Sequence, residues 1–213
     1  DLSFWYFGVK TKKELPLTLG HEISGNVIDG PKEWIGKNVI IPAVLPCGEC
    51  ELCKKGRSNI CQKQLMPGND FNGGFASHIK VPAKYLCPVS DKVLEKNSLQ
   101  QLSVIADAIS TPYQVVKKSE LQSGDLAIVI GIGGVGVYAA LIAKIFGAKV
   151  IALDIDDDKL ETAKQNGVDA ILNVKELGIR EVKAAVRELA GQLGTSRFGW
   201  KIFEVSGTKA GQD

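Results

Sequence analysis

At 213 residues the chain has room for one or two domains of about 100–200 residues each. Its 45% apolar and 23% charged content is that of a globular protein, and a net charge of +2 with scattered basic residues gives no footprint of a nucleic-acid or polybasic membrane partner. No apolar run reaches the roughly 20 residues that a membrane-spanning helix needs, and no signal peptide opens the chain. The chain starts at Asp1 inside an apolar aromatic segment and stops just after a buried-type run, so it reads as an internal piece of a longer protein.

In chain order, Pro16 to Thr18, Glu22 to Ile28 and Val39 to Ile41 read as short strands, with Gly30-Pro31 and Gly36-Lys37 as the turns between them. Gly20-His21-Glu22 stands at the entry to one of these strands. Cys47 to Cys61 is a polar loop. Gly73-Gly74 leads to a strand pattern from Phe75 to Val81, and Tyr85 to Val89 is another, a spacing that suits a small, partly open antiparallel barrel. His78 falls with Lys80 on the polar face of its pattern, facing solvent, while Cys87 reads as a small buried side chain. Asn97 to Ala108 and Thr111 to Lys118 are predicted helices. A strand (Ala127 to Ile130), a glycine turn, a helix (Val137 to Phe146) and a strand (Lys149 to Leu153) follow. Then come a helix with an acidic first turn (Asp156 to Gln165), a strand (Ala170 to Val174), an amphipathic helix (Glu176 to Leu193) and a strand (Trp200 to Val205). The boundary falls near Ala108, giving a unit over 1–108 with a lobe at 46–62, and a second unit over 109–213.

Three groups of residues carry chemistry. Cys47, Cys50, Cys53 and Cys61 give C-x2-C-x2-C-x7-C, and four thiolates at that spacing close a tetrahedral zinc site with no open position, hence a structural one. Lys54, Lys55, Arg57 and Lys63 are placed to offset its negative charge. An iron–sulfur cluster is the rival, but there three residues commonly separate the third and fourth cysteines and proline follows, whereas seven separate Cys53 from Cys61, which precedes Gln62. Clustered rather than dispersed cysteines favour a reducing compartment, the cytoplasm.

The second group is Gly131-Ile132-Gly133-Gly134-Val135-Gly136 between strand and helix, the context that makes G-x-G-x-x-G a dinucleotide signature. Gly131 permits the turn, Gly133 admits a pyrophosphate to the backbone, and Gly136 lets helix and strand pack closely. Asp154, at the end of the next strand, is placed to accept from a ribose 2′-hydroxyl. With Asp156, Asp157 and Asp158 nearby it would repel a 2′-phosphate, which favours NAD over NADP. A βαβ unit with a merely structural glycine turn is the alternative.

The third group is His21 with Asp107. Asp107 sits in Val104-Ile105-Ala106-Asp107-Ala108-Ile109, where an unpaired carboxylate is expensive to bury. The two could supply two of about three ligands of a catalytic zinc with an open position. Asp107 could instead cap the helix that starts at Ser110, and Glu22 could be an outer-shell group or a surface strand residue.

Taken together, Gly20-His21-Glu22-Ile23-Ser24-Gly25, the four-cysteine lobe, Gly73-Gly74-Phe75-Ala76 and Gly131 to Gly136 with Asp154 resemble the zinc-dependent medium-chain alcohol dehydrogenases along the whole chain. The resemblance implies an α/β protein: a partial GroES-like antiparallel β-barrel followed by the first half of a doubly wound Rossmann domain. It implies NAD, two zinc ions per intact subunit, a small-molecule alcohol substrate and a homo-oligomer. Under it, His21 ligates the catalytic zinc with Glu22 beside it, and Asp107 ahead of Ser110-Thr111 is a further ligand. Asp1 matches the aspartate that follows the remaining ligand, a cysteine ahead of the chain. Thr111 and Val135 then flank the nicotinamide, and Lys159 neighbours the adenosine ribose. A closer likeness over Ile41 to Cys47, Met66 to Asp70 and Trp200 to Thr208 implies a ring alcohol beside a coenzyme A thioester, in the breakdown of aromatic compounds. Ser3 stands where many relatives carry a proton-relay histidine, and the turn at Gly30-Pro31 is shorter, so the relay does not carry over. A non-catalytic zinc-binding module is the reading of another class, with one zinc rather than two.

Overall fold

The structure, a computed structural model, describes residues 8 and 13–212. Asp1 and Ser3 lie outside the described residues. The chain divides into two compact units between Asp107 and Ala108.

In the first unit, β1 (Ile23–Asn26), β2 (Asn38–Ile41) and β3 (Cys87–Pro88) form an antiparallel sheet in the order β1-β2-β3, with Ile23 opposite Ile41 and Ile40 opposite Cys87. Ile23, Val39, Ile40 and Ile41 are buried, and since successive side chains of a strand point to opposite faces, β2 is covered on both. Of two single helical turns, α1 (Glu51–Lys54) lies between β2 and β3 in sequence and α2 (Asp91–Leu94) follows β3. A 3₁₀ turn at Gln101–Ala106 lays Leu102 and Ala106 against Ile40, with Val89 and Leu94 alongside.

Three expectations for this unit are corrected. Pro16 to Thr18 is irregular chain rather than a strand. Asn97 to Ala108 is not an α-helix. Ser98 and Gln101 close their own side-chain hydrogen bonds, and the Ala106 carbonyl is taken by the Ala43 N–H rather than by a following turn. Phe75 to Val81 is not a strand. The N–H groups of Gly73, Gly74 and Phe75 go to Thr18, Gly20 and Leu19 at 2.7–2.9 Å, an irregular pairing that no ladder continues.

The second unit opens with α3 (Ser110–Lys118) and continues β4 (Leu126–Ile130), α4 (Gly136–Ile145), β5 (Lys149–Asp154), α5 (Asp157–Gln165), β6 (Ala170–Asn173), α6 (Ile179–Gln192), β7 (Lys201–Glu204) and a final turn α7 (Lys209–Gln212). The four strands are parallel in the order β6-β5-β4-β7, the layout of a doubly wound sheet. Both faces are covered, which is why β4 and β5 read as continuous apolar runs. On one face Ala127, Val129, Val150 and Ala152 meet Ala139, Ala140 and Ala143 of α4 and Leu160 and Ala163 of α5. On the other, Leu126, Ile128, Ile151 and Leu153 meet Val186 and Ala190 of α6. Each fully buried Val or Ile here contributes about 1.5–3 kcal/mol relative to exposure. α6 starts later than its amphipathic pattern does, because the Glu181 carboxylate accepts the Gly178 N–H at 2.7 Å and sets the first turn there. Among the described residues no helix is long and apolar enough to cross a membrane.

Candidate functional site

The four lobe sulfurs converge. Cys47 Sγ lies 3.9 Å from Cys53 Sγ and 3.5 Å from Cys61 Sγ, and Cys50 Sγ lies 3.5 Å from Cys53 Sγ and 3.7 Å from Cys61 Sγ. Four thiolates about 2.3 Å from one tetrahedral zinc would stand about 3.8 Å apart, so the lobe already has the spacing of a closed zinc site. The single turn α1 is what achieves this on the Cys50 side, since residues three apart share a helix face. Backbone N–H groups of Glu49 and Cys50 draw the Cys47 thiol down to about 6, while burial pushes Cys53 up to about 12.

Lys55 is paired with Glu51 of its own turn, and Lys54, Arg57 and Lys63 are exposed. Lys84 Nζ lies 4.7 Å from the Tyr85 ring centroid, its pKa raised chiefly by Tyr85 and less by the charges of Glu49 and Cys47. The Tyr85 hydroxyl in turn donates to the Pro46 carbonyl, one residue ahead of the first ligand. Cys87 is exposed on β3 rather than buried, because the sheet's two-residue last strand leaves that face open.

His21 precedes β1 on a loop that backbone contacts hold in place. Gly20 has φ +99°, and a Cβ on Gly73 would fall 2.1 Å from the Gly20 carbonyl oxygen. No side chain fits between these two segments. The loop delivers His21 Nε2 to 3.3 Å from Asp107 Oδ2, with the histidine side chain 17% exposed. A nitrogen and an oxygen about 2.1 Å from one tetrahedral zinc would stand about 3.4 Å apart, so this separation also suits two ligands of a single ion. Asp107 is not buried as its apolar neighbours suggested: its side chain is 37% exposed, at the open end of the 3₁₀ turn. Nor does it cap α3, whose cap residue is Ile109 with no side-chain bond. Glu22 and His78 are exposed, His78 on irregular chain rather than a strand.

In the second unit the glycine turn lies at the carboxyl end of β4. Gly131 has φ +93°, and its N–H donates to Leu153 at 2.8 Å. A Cβ on Gly136 would lie 1.8 Å from the Gly131 oxygen, whereas one on Gly133 or Gly134 would meet nothing within 4 Å. The first and last glycines thus permit close packing, and the middle pair faces open space before the start of α4, where an anion would sit. Val135 is the cap residue of that helix. Asp154 Oδ2 accepts the Ile132 N–H at 2.6 Å, and Oδ1 accepts Ile155 and Asp156 N–H groups at 2.7 and 3.1 Å. Asp156 caps α5, its carboxyl lowered by the Lys159 backbone N–H, and Lys159 Nζ lies 3.4 Å from it. A cleft of about 1400 Å³ runs past Gly131, Gly133, Asp154 and Lys159. Thr111 is exposed in the first turn of α3.

Two features had no sequence signal strong enough to find them. The Tyr85–Pro46 bond joins distant segments, and Glu204, which accepts from Ser206 beside the glycine turn, looked like an ordinary strand residue. Only the S-G-T that follows the strand hinted at an ordered turn.

Residues 1–91 match the alcohol dehydrogenase GroES-like domain, and residues 134–211 match the zinc-binding dehydrogenase family. An alcohol dehydrogenase of Geobacillus stearothermophilus is 34% identical over 187 residues, covering 84% of this chain and 53% of that protein. An uncharacterized zinc-type alcohol dehydrogenase-like protein of Haemophilus influenzae is 32% identical over 95% of this chain and 57% of its own length. The solved galactitol-1-phosphate dehydrogenase from Escherichia coli superposes with a TM-score of 0.83 at 28% identity, over 97% of this chain and 57% of that one. An NAD-dependent alcohol dehydrogenase does so at 0.77 and 34%, over 88% and 55%. The chain spans about half the length of the curated relatives it matches.

Proposed function

Since the chain belongs to the zinc-type medium-chain alcohol dehydrogenase family, we propose that it contributes to an NAD-linked enzyme that takes hydride from a secondary alcohol. In this reading residues 1–108 are the catalytic domain, with the structural zinc on Cys47, Cys50, Cys53 and Cys61 at 46–62, and residues 109–213 bind NAD. The observation that carries it is the approach of His21 to Asp107 at 3.3 Å, two donors far apart in sequence and spaced for one ion. The zinc they would hold supplies Lewis-acid polarisation of the alcohol oxygen, and NAD supplies the hydride acceptor.

The chain's own residues do the rest. The Gly20–Gly73 contact keeps the His21 ring aimed at Asp107, and Glu22 adds negative charge beside it. Gly131, Gly133, Gly134 and Gly136 open the way to the N–H groups that start α4, which bind the pyrophosphate. Asp154 accepts from the adenosine ribose, Lys159 stands next to it, and Asp156 to Asp158 turn away a 2′-phosphate. Thr111 and Val135 flank the nicotinamide. Asp1 follows the remaining zinc ligand.

For the substrate, the likeness over Ile41 to Cys47, Met66 to Asp70 and Trp200 to Thr208 supports 6-hydroxycyclohex-1-ene-1-carbonyl-CoA, oxidised to its 6-oxo product during benzoyl-CoA breakdown. The similarity to galactitol-1-phosphate dehydrogenase favours a polyol substrate as the second reading. In both, the enzyme is cytoplasmic and a homo-oligomer.

His21→Ala in the intact subunit tests the proposal. Zinc should fall from two ions to one and turnover should vanish, while the dissociation constant for NADH stays within about twofold, since the nucleotide contacts are elsewhere. Unchanged turnover refutes the role of His21. A single zinc in the unsubstituted subunit, with no turnover on any alcohol, points to the non-catalytic module instead.

A further inference from the structure

The end of β7 carries a hydrogen-bond chain with one direction. Glu204, ionised, can only accept, and its Oε1 takes both the N–H of Ser206 at 2.8 Å and the Ser206 hydroxyl. With the Ser206 proton committed, the hydroxyl of Thr208, 2.9 Å away, must donate to Ser206 Oγ, which also accepts the Thr208 N–H at 3.2 Å. Thr208 Oγ1 is then left to accept the Gly211 N–H at 3.1 Å. The carboxyl of Glu204 is held below its usual range, chiefly by the Ser206 hydroxyl, so the direction of the chain is fixed at neutral pH.

This ordered turn lies against the dinucleotide signature. A Cβ on Gly131 would lie 2.6 Å from Ser206 Cα, and one on Gly136 would lie 3.1 Å from Val205. Glu204, Ser206 and Thr208 line the same cleft as Gly133, Asp154 and Lys159. The backbone ladder of β7 ends where Ile130 accepts the Val205 N–H at 2.9 Å, and beyond it the turn is held by the Glu204 carboxylate, which also draws on the Gly207 N–H.

We infer that Glu204 is a positioning residue for the dinucleotide: acting through Ser206, it holds the 205–208 turn against Gly131 and thereby sets the affinity of the cleft for NADH. The inference rests on the reading of residues 131–136 as the dinucleotide site. Its requirement is an acceptor oxygen at Oε1, not a charge, because both donors converge on that one atom.

The 213-residue chain is titrated with NADH, following quenching of tryptophan fluorescence and energy transfer to the nicotinamide. Glu204→Ala should weaken binding about tenfold, Ser206→Ala, which spares the backbone N–H, about threefold, and Glu204→Gln, which keeps the acceptor, less than about twofold. Rescue by glutamine separates this role from loss of charge or of fold. Far-UV circular dichroism identifies a variant that has not folded, in which case Ser206→Ala against Glu204→Gln decides alone. A Glu204→Ala or Ser206→Ala chain that binds as tightly as the unsubstituted one overturns the inference, as does a Glu204→Gln chain as weak as Glu204→Ala. An unsubstituted chain that binds no NADH instead removes the dinucleotide reading itself.

Discussion

The tightest contact in the second unit gives a sharp test of how its nucleotide turn is built. In Gly136→Ala the new methyl carbon would start 1.8 Å from the Gly131 oxygen and 2.9 Å from the Gly131 carbonyl carbon. A carbon–oxygen contact is comfortable near 3.3 Å, so the turn must retreat by about 1.5 Å. Both obstacles are backbone, and no side-chain rotation relieves them. That retreat would break the Gly131-to-Leu153 bond of 2.8 Å and the Ile132-to-Asp154 bond of 2.6 Å, at about 1 kcal/mol each, besides an overpacking cost of about 1–3 kcal/mol. The better helix propensity of alanine returns at most about 1 kcal/mol. The net loss is about 2–4 kcal/mol, a fall in melting temperature on the order of 10 °C or more for a unit of this size. Thermal unfolding followed by circular dichroism reads it directly. Gly133→Ala is the matched control: its methyl meets nothing within 4 Å, so melting should move by less than about 2 °C while NADH binding weakens at least about tenfold. A Gly136→Ala chain that melts within about 2 °C of the unsubstituted one would refute this account of the close helix–strand contact.

Two other outcomes follow from charges and metal. Cys50→Ser should lower zinc content by one ion per chain, measured by mass spectrometry after dialysis against a chelator, because the remaining three sulfurs no longer close a tetrahedron. Burial pushes the Asp169 carboxyl up, but Lys144 at 2.6 Å, the Val150 N–H at 2.8 Å and Lys149 outweigh it, and its pKa is lowered from 3.8. A lowered folded-state pKa means that this contribution is complete above about pH 4 and fades as pH falls through the lowered value. Asp169→Asn should therefore cost about 1–2 kcal/mol in urea unfolding at pH 7, with the two chains converging as pH falls through the lowered pKa.

What the amino-acid order disclosed depended on how local the signal was. The nucleotide turn needs only its own strand, six residues and the next helix and strand, and the glycine positions announce the packing at Gly131 and Gly136. The cysteine spacing likewise closes within one loop. The tie from outside the lobe does not: Tyr85 reaches Pro46 from a separate 3₁₀ turn at Ala83–Tyr85, and no pattern in 47–63 points to it. Asp107 was misjudged because Val104, Ile105 and Ala106 suggested a buried helix. The tighter 3₁₀ turn leaves Ile105 36% exposed and the carboxylate at an open end. Phe75 to Val81 alternates as a strand should, yet its leading N–H groups serve the His21 loop. Pattern cannot reveal where a neighbouring backbone spends its donors.

The triple grip on the Asp154 carboxylate has an implication for any attempt to recast cofactor preference. Three amides orient its two oxygens before a ligand arrives, so under the proposed function a ribose would find acceptors already aligned and surrender little freedom on docking. In that proposal the same side chain is both a clasp between two loops and the reader of one hydroxyl. Swapping it for a small neutral residue to welcome an extra phosphate would also undo the clasp, and a successful redesign must first give Ile132, Ile155 and Asp156 another oxygen to hold.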